Sequence, residues 1–462
     1  MTGLGPLDSG FMELEDTDRH VSAGIGAVAI VAGPPPTRAE FTAMLAERSG
    51  RDPRLRQRVQ RAPWDIAAPV WVDDSSFDIG HHLRWMALPE PADEAALCEL
   101  IAVVMEERFD RDHPLWQCVV IEHLAGGRWA VVVKAHHSMV DGISGITMFE
   151  RLCDESVDLA ATSAPTKDSP TDWRRLLVRG LRLPIDLPRT ALATVRAAVP
   201  LILDVVLPAP DSSLNGPIGR QRRYAVAKTS LPEVREIRTT FGVTINDVAL
   251  AAVASAFRTV LLGRGEEPRA DKLRVLAPVS MRASGAKNIL DNRVSAMLPL
   301  LPVELTHPVE QLAAVHTRLS RHKVRGEAGA ANSFLGLADR LPFAPVALAL
   351  RLVTMYPQHS VSVLATNVPG PKHRLHLHGG EVLEIFAYAP IAMRLRTGIT
   401  VLSYGDQLVF GITGDYDSTP DIDLIASGIE KAVAELLRHA RQDPDAASRY
   451  LSIVAEGVPE GR

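Results

Sequence analysis

The chain has 462 residues, 46% of them hydrophobic and 23% charged, which supports two or three globular domains and excludes a disordered, collagen-like or disulfide-scaffolded protein. A formal net charge of −5 gives no overall attraction for nucleic acid. Three cysteines (Cys98, Cys118, Cys153) form no CxxC pair and fit a reducing compartment as small buried apolar residues.

Residues 26–31 read as a strand closed by Gly33 and the prolines that follow, with helical patterns at 38–47 and 92–109. Residues 116–122 and 128–134 are apolar, β-branched runs on either side of Gly126-Gly127 and read as a hairpin. After Gly142, Ile143, Ile146, Phe149 and Cys153 recur at helical spacing, so a helix follows the second strand. Residues 158–215 are rich in proline, serine and arginine, and Pro184, Pro188, Pro200, Pro208 and Pro210 interrupt any period. This stretch reads as a crossover with one or two short helices between a domain at 1–157 and another at 216–462. Alternation of strands and helices resumes at Arg222. A helix begins at 244–247, buried strands lie at 273–279 and 361–365, and the second strand ends in the turn Asn367-Val-Pro-Gly-Pro371. Residues 399–404 and 407–413 flank Gly405-Asp406, a two-residue hairpin signal. Ile422, Ile425, Ile429, Val433 and Leu436 mark a final amphipathic helix.

The string Lys134-Ala-His136-His137-Ser-Met-Val-Asp141-Gly142-Ile-Ser-Gly145 sits where an apolar strand gives way to a helix, a common place for reactive groups in α/β folds. In extended backbone His136 and His137 point to opposite sides, so one can face a cleft while the other packs into the support. A neutral imidazole, with an ordinary pKa of about 6.5, suits the removal of a proton from a hydroxyl. Asp141 lies near the helix start, where it either caps the helix or forms a buried ion pair. The competing reading is a metal shared by His137 and Asp141. No third ligand cluster, HExxH or CxxC accompanies them, so no metal is expected. Gly24-x-Gly26-x-x-Ala29 has dinucleotide-fingerprint spacing but leads into strand-like alternation rather than a helix, and no GxSxG or Walker A sequence is present.

The string matches the HHxxxDG signature of the acyl-CoA-dependent acyltransferases that include chloramphenicol acetyltransferase and peptide-synthetase condensation domains. Beyond it, the chain resembles the bacterial wax ester synthase/diacylglycerol acyltransferases, their triacylglycerol synthase branch in particular. The resemblance rests on Pro6-Leu-Asp8 with Phe11, Pro114-Leu-Trp116, Ser213-Leu-Asn-Gly-Pro217 and Arg222-Arg223-Tyr224. It continues through Thr244-Ile-Asn246-Asp247, Pro278-Val-Ser280-Met-Arg282, Asp291-Asn-Arg-Val-Ser295, Ala365-Thr-Asn-Val-Pro-Gly-Pro371 and Leu402-Ser-Tyr404, in family order over nearly the whole chain. Asp291 stands where much of the family has glycine, which affects only the local turn.

The resemblance implies two α/β domains of chloramphenicol-acetyltransferase type, with mixed sheets flanked by helices and an active-site tunnel at their interface. It implies that His137 is the general base for direct attack of an acceptor hydroxyl on an acyl-CoA thioester, without a covalent acyl-enzyme. His136 accompanies it, Asp141 is structural, and Gly142 allows a close backbone turn. Arg282, just after a buried strand, is the candidate ion-pair partner of Asp141. Trp116, Asn246, Asp247 and Asn367 are candidate substrate-binding residues, each with a structural alternative. Trp116 would pack in the core, Thr244-x-x-Asp247 would cap a helix, and residues 367–371 would be a turn or would line the CoA entrance. The implied reaction joins long-chain acyl-CoA to diacylglycerol, with fatty alcohols as further acceptors. Acyl-CoA is then a substrate, and no cofactor is implied. The alternatives are an acyltransferase acting on a polyketide or glycolipid alcohol and a non-catalytic lipid-binding protein.

Between positions 173 and 203, Arg174, Arg175, Arg179, Arg182, Arg189 and Arg196 stand among leucines and valines with Asp186 as the one acid. Such a segment suits an anionic membrane or lipid droplet surface; a crossover packed on the domains is the alternative. The first twenty residues turn acidic before any apolar run and do not read as a signal peptide. No stretch has the about 18 uninterrupted apolar residues of a spanning helix. The expected location is cytoplasmic, peripheral on the inner membrane face or on lipid droplets.

Overall fold

A computed structural model describes residues 2–62, 68–140, 142–155, 212–280, 294–325, 351, 358, 360–443 and 450–454. In chain order the first half has β1 (Thr2–Gly3), α1 (Pro6–Thr17), β2 (Gly24–Ala32), α2 (Arg38–Gly50), β3 (Gln57–Gln60) and β4 (Val70–Asp73). It continues with β5 (Leu83–Ala87), α3 (Glu94–Glu106), β6 (Trp116–Leu124), β7 (Arg128–His136) and α4 (Gly142–Glu150). The second half has β8 (Arg222–Ser230), α5 (Leu231–Phe241), α6 (Ile245–Gly263), β9 (Val275–Ser280), β10 (Val294–Met297) and α7 (Pro308–Arg325). Then come β11 (Val363–Val368), β12 (His376–Leu377), β13 (Gly380–Tyr388), β14 (Thr397–Tyr404), β15 (Gln407–Asp415) and α8 (Ile422–Gln442).

Local chemistry sets these boundaries. Thr37 with Glu40, and Thr244 with Asp247, close reciprocal caps at the starts of α2 and α6. The β6–β7 hairpin turns through Gly126 and Gly127 at φ 83° and 68°, where a Cβ is disfavoured. The helix predicted over 92–109 is shorter, opened by the Asp93 cap. The strand predicted at 361–365 is displaced to Val363–Val368, so Asn367 belongs to the strand end. Cys153 falls in a turn beyond α4. By length and composition α6 could cross a membrane, but its residues 248–254 are all enclosed in the core, which explains an apolar surface on every side.

One six-stranded sheet runs β12-β13-β2-β7-β6-β5 and a second runs β10-β9-β11-β14-β15-β8; a small sheet has the order β1-β4-β3. Both large sheets are mixed: β5 is parallel to β6, and β11 is parallel to β9 and β14. Helix α3 covers one face of the first sheet, setting Leu97, Ile101 and Met105 on Val28, Val119 and Val132. Helices α2 and α4 cover the other with Phe41, Leu45 and Phe149. Burial on both faces is why β7 reads as a nearly continuous apolar run.

The two sheets do not divide the chain at one point. Strand β13, from the second half, pairs antiparallel with β2, with Tyr388 opposite Gly26 and Ile385 opposite Ala29. Its far end meets the second sheet, where Tyr224 Oη and Thr400 Oγ1 donate to Ala387 O at 2.9 and 2.6 Å. A Cβ on Gly411 would lie 2.1 Å from that same oxygen, so only glycine fits there.

Candidate active site

Strand β7 delivers the paired histidines. His136 is its last residue, opposite Gly24, and the His137 N–H donates to Ala23 O at 2.9 Å, extending the pairing by one residue. The Met139 N–H then donates to His136 O at 2.8 Å and turns the chain toward α4. The two side chains differ as alternation requires: His136 is 1% exposed, whereas His137 keeps partial access.

His136 is a support. Its Nδ1 accepts the Ser138 N–H at 3.0 Å and lies 2.7 Å from Ser138 Oγ, which assigns the ring proton to Nε2. That nitrogen is 3.5 Å from Oε2 of the buried Glu15 on α1. Glu15 also accepts the Ala23 N–H at 2.7 Å and Arg111 at 2.9 Å. Burial alone would raise its pKa, but His136, the Ala23 N–H and Arg111 outweigh burial and hold it down at about 2. Arg111 pairs with Asp16 as well, at 2.6 Å, and Arg108 donates to the Glu15 and Val21 carbonyls. Helix α1 is thereby fastened to Ala23, the residue whose carbonyl receives the His137 N–H.

The same helix places Phe11 flat against the His137 imidazole, with ring centroids 3.9 Å apart and planes 11° apart. Burial pushes the His137 pKa from 6.5 down to about 4; a hydrogen bond to its own backbone opposes this and neighbouring His136 adds to it. The ring is therefore neutral at pH 7 and carries a lone pair. Lys134, buried three residues earlier, donates to the Val104 and Glu107 carbonyls at the end of α3, a favourable site for a cation. Burial pushes its pKa down to about 8. A Cβ on Gly24 would lie 2.7 Å from Lys134 Cε, so one glycine of the apparent dinucleotide fingerprint makes room for that stem inside a strand.

Gly142 opens α4 without a positive φ, so the close turn that the resemblance implies is not what calls for glycine. A Cβ there would lie 2.9 Å from Val368 Cγ2 of β11. The glycine admits the second half of the chain to the start of the helix that follows the histidines. Next to Val368, Asn367 Nδ2 donates to Asn246 Oδ1 at 3.3 Å, so two of the candidate substrate-binding residues meet. The other two are engaged in structure. Asp247 is 2% exposed, accepts the Thr244 N–H at 2.9 Å and faces His316 Nδ1 at 2.9 Å. Trp116 is 2% exposed, donates its indole N–H to Leu55 O at 2.8 Å and stacks on His82, so it is packed within the core. Asp141, Arg282 and the basic stretch at 173–203 lie outside the described residues. Glu15, Arg111 and the stacking role of Phe11 escape sequence reasoning, because the acidic run of α1 reads as a solvated face.

Comparison with known proteins agrees along most of the chain. The family described as "Wax ester synthase/diacylglycerol acyltransferase catalytic domain" matches residues 4–249, and "WS/DGAT C-terminal domain" matches 290–437. The chain is 44% identical over 445 residues to tgs1 of Mycobacterium tuberculosis, described as a probable diacylglycerol O-acyltransferase, covering 95% of this chain and 96% of that one. It superposes on the solved wax ester synthase/diacylglycerol acyltransferase of Marinobacter aquaeolei VT8 with a TM-score of 0.67 at 26% identity, over 95% of this chain and 100% of the other. The first condensation domain of the calcium-dependent antibiotic synthetase shares the two-domain α/β fold, with a TM-score of 0.58 at 15% identity over 94% and 96% of the two chains. Agreement of this extent in both halves leaves one assignment: the chain is an acyltransferase of the wax ester synthase/diacylglycerol acyltransferase family.

Proposed function

We propose that this acyltransferase moves a long-chain acyl group from acyl-CoA to the hydroxyl of diacylglycerol, giving triacylglycerol and CoA, with His137 as the general base. The observation that carries this reading is the His137 ring: neutral, held flat by Phe11 and still partly accessible. Its lone pair takes the hydroxyl proton as the oxygen attacks the thioester carbonyl. Collapse of the tetrahedral intermediate breaks the C–S bond, and the imidazolium returns the proton to the departing thiolate. A low pKa favours that return, and because CoA thiolate is already a good leaving group no covalent acyl-enzyme is required. The base contributes about 10²–10⁴-fold, and positioning of the two substrates supplies much of the rest.

In this reading Asp141 and Arg282 form the ion pair that fixes the loop, and the Asn246–Asn367 contact lies along the CoA entrance. Acyl-CoA is a substrate, fatty alcohols are further acceptors, and the enzyme works in the cytoplasm on a membrane or droplet surface reached through residues 173–203. Purified protein and its His137→Ala variant, given palmitoyl-CoA with diacylglycerol or hexadecanol, test the reading. Triacylglycerol formation by the wild type, with a loss of about 10²-fold or more in the variant, is the expected result. No CoA release with any acceptor would favour a lipid-binding protein, and release only with other alcohols would favour a polyketide or glycolipid acceptor. Undiminished liposome binding after arginine-to-glutamine replacement across 173–203 would dismiss the surface role.

A further inference from the structure

Helix α1 is held on two opposite faces. At about 100° per residue, Phe11 and Glu15 share one side of the helix, and Glu13 lies about 160° round from both. On the first side Phe11 stacks on His137, and Glu15 engages Ala23, His136 and Arg111. On the other, Glu13 is 1% exposed, and two arginines close over its carboxylate. Arg351, from the second half of the chain, donates its Nε–H to Glu13 Oε2 at 2.6 Å. Arg61, from the first half, brings Nη2 to 3.2 Å from Glu13 Oε1 but lies nearer to Asp16, at 2.5 Å. Leu14, the next residue of α1, packs on Val21, Ile218 and Ile391, two of which also come from the second half.

The two holds differ in origin. Ala23, Arg108 and Arg111 belong to the same half as the helix, whereas Arg351 stands 338 positions from Glu13. The Arg351 side chain is 40% exposed, so it gives up little hydration, while the carboxylate it covers is enclosed. An enclosed carboxylate that loses its cation must take up a proton or draw in water. Drawing in water lifts that face of α1, and Phe11, two positions earlier on the same rigid helix, moves with it.

We propose that Arg351 is a positioning residue for acyl transfer: through Glu13 it holds α1 in the pose that keeps Phe11 flat on His137. The proposal rests on the reading of His137 as general base. In this role Arg351 governs how dry the stacked face of the imidazole stays. A side chain of the second half thereby completes a site whose base belongs to the first, and the base is set for reaction only while both halves close on α1.

With palmitoyl-CoA and diacylglycerol, Arg351→Gln should lower kcat about tenfold and change KM for palmitoyl-CoA less than about twofold. It should also move the acid limb of kcat/KM upward from about 4 toward 6.5, because hydration restores an ordinary imidazole. Arg351→Lys, which keeps the charge, should recover most of both. Glu13→Ala, or Glu13→Gln where the first does not fold, separates positioning from long-range electrostatics. Losing a cation would by itself raise the His137 pKa and losing an anion would lower it, whereas a released helix raises it in both variants. Limbs that move in opposite directions would overturn the positioning role and leave the base reading standing. So would a folded Arg351→Gln enzyme with the wild-type limb and kcat, or one that only melts earlier with its limb unmoved. A His137→Ala variant that turns over at the wild-type rate would overturn both.

Discussion

The neutrality of His137 is a property that can be read in a rate profile. Held at about 4, the ring keeps its lone pair well into the acid range, so the acid limb of kcat/KM should have its midpoint near pH 4 rather than at 6.5. Phe11→Ala admits water to the stacked face and should move that limb upward while lowering kcat; Phe11→Tyr, which keeps a ring there, should not. A wild-type limb at 6.5 would mean that the imidazole is solvated. Glu15 titrates in the opposite direction. Its folded pKa of about 2 lies below the ordinary 4.5, so its stabilisation is present above pH 4.5 and is lost as pH falls toward 2. Glu15→Gln should cost about 3 kcal/mol at pH 7, with most of the gap closing near pH 2, as read by urea unfolding at several pH values. At this scale the histidine string is legible because its residue types name their chemistry. Glu15 is not, since an acid among acids looks solvated until Ala23, His136 and Arg111 are folded around it.

Secondary elements carry their own marks in the sequence where capping and turn chemistry are local. The hairpin through Gly126-Gly127, the capped start of α6 and the 3.6-residue stripe of α8 all appear as the pattern predicts. Helix α5 is marked in the same way, by Ser230 accepting from the Glu233 N–H and by Leu231, Val234, Ile237 and Phe241 on its buried side. What no local pattern reveals is which elements meet. Gly142 reads as a turn glycine, and only the approach of Val368 explains it. Gly142→Ala should therefore destabilise by about 1–3 kcal/mol through overpacking, and Val368→Ala in the same chain should recover part of that loss. Thermal unfolding of the two single variants and the double measures it. Strictly additive effects would show that the two sites do not touch.

For the molecule as a whole, the decisive feature is that β13 completes the first-half sheet. A boundary drawn from composition near the crossover is natural for a chain whose proline-rich stretch separates two similar halves. It does not anticipate a strand returned from beyond residue 376, because a strand's sequence does not state its neighbour. The halves should unfold as one cooperative unit. All six tryptophans (Trp64, Trp71, Trp85, Trp116, Trp129 and Trp173) precede the second half, so fluorescence reports the first half and far-ultraviolet dichroism reports both. Coincident urea transitions by the two probes are expected, whereas an earlier fluorescence transition would show that the halves are separable.

The returned strand also bears on how the protein is made. Residue 388 must leave the ribosome before Gly24–Ala32 has its outer neighbour, a delay on the order of tens of seconds at bacterial elongation rates. Through that interval the nascent chain exposes a long, apolar β2 edge able to pair with any similar edge nearby. Losses in heterologous expression should accordingly arise on polysomes rather than from finished protein, and chaperone supply during translation should govern yield more than the stability of the completed fold.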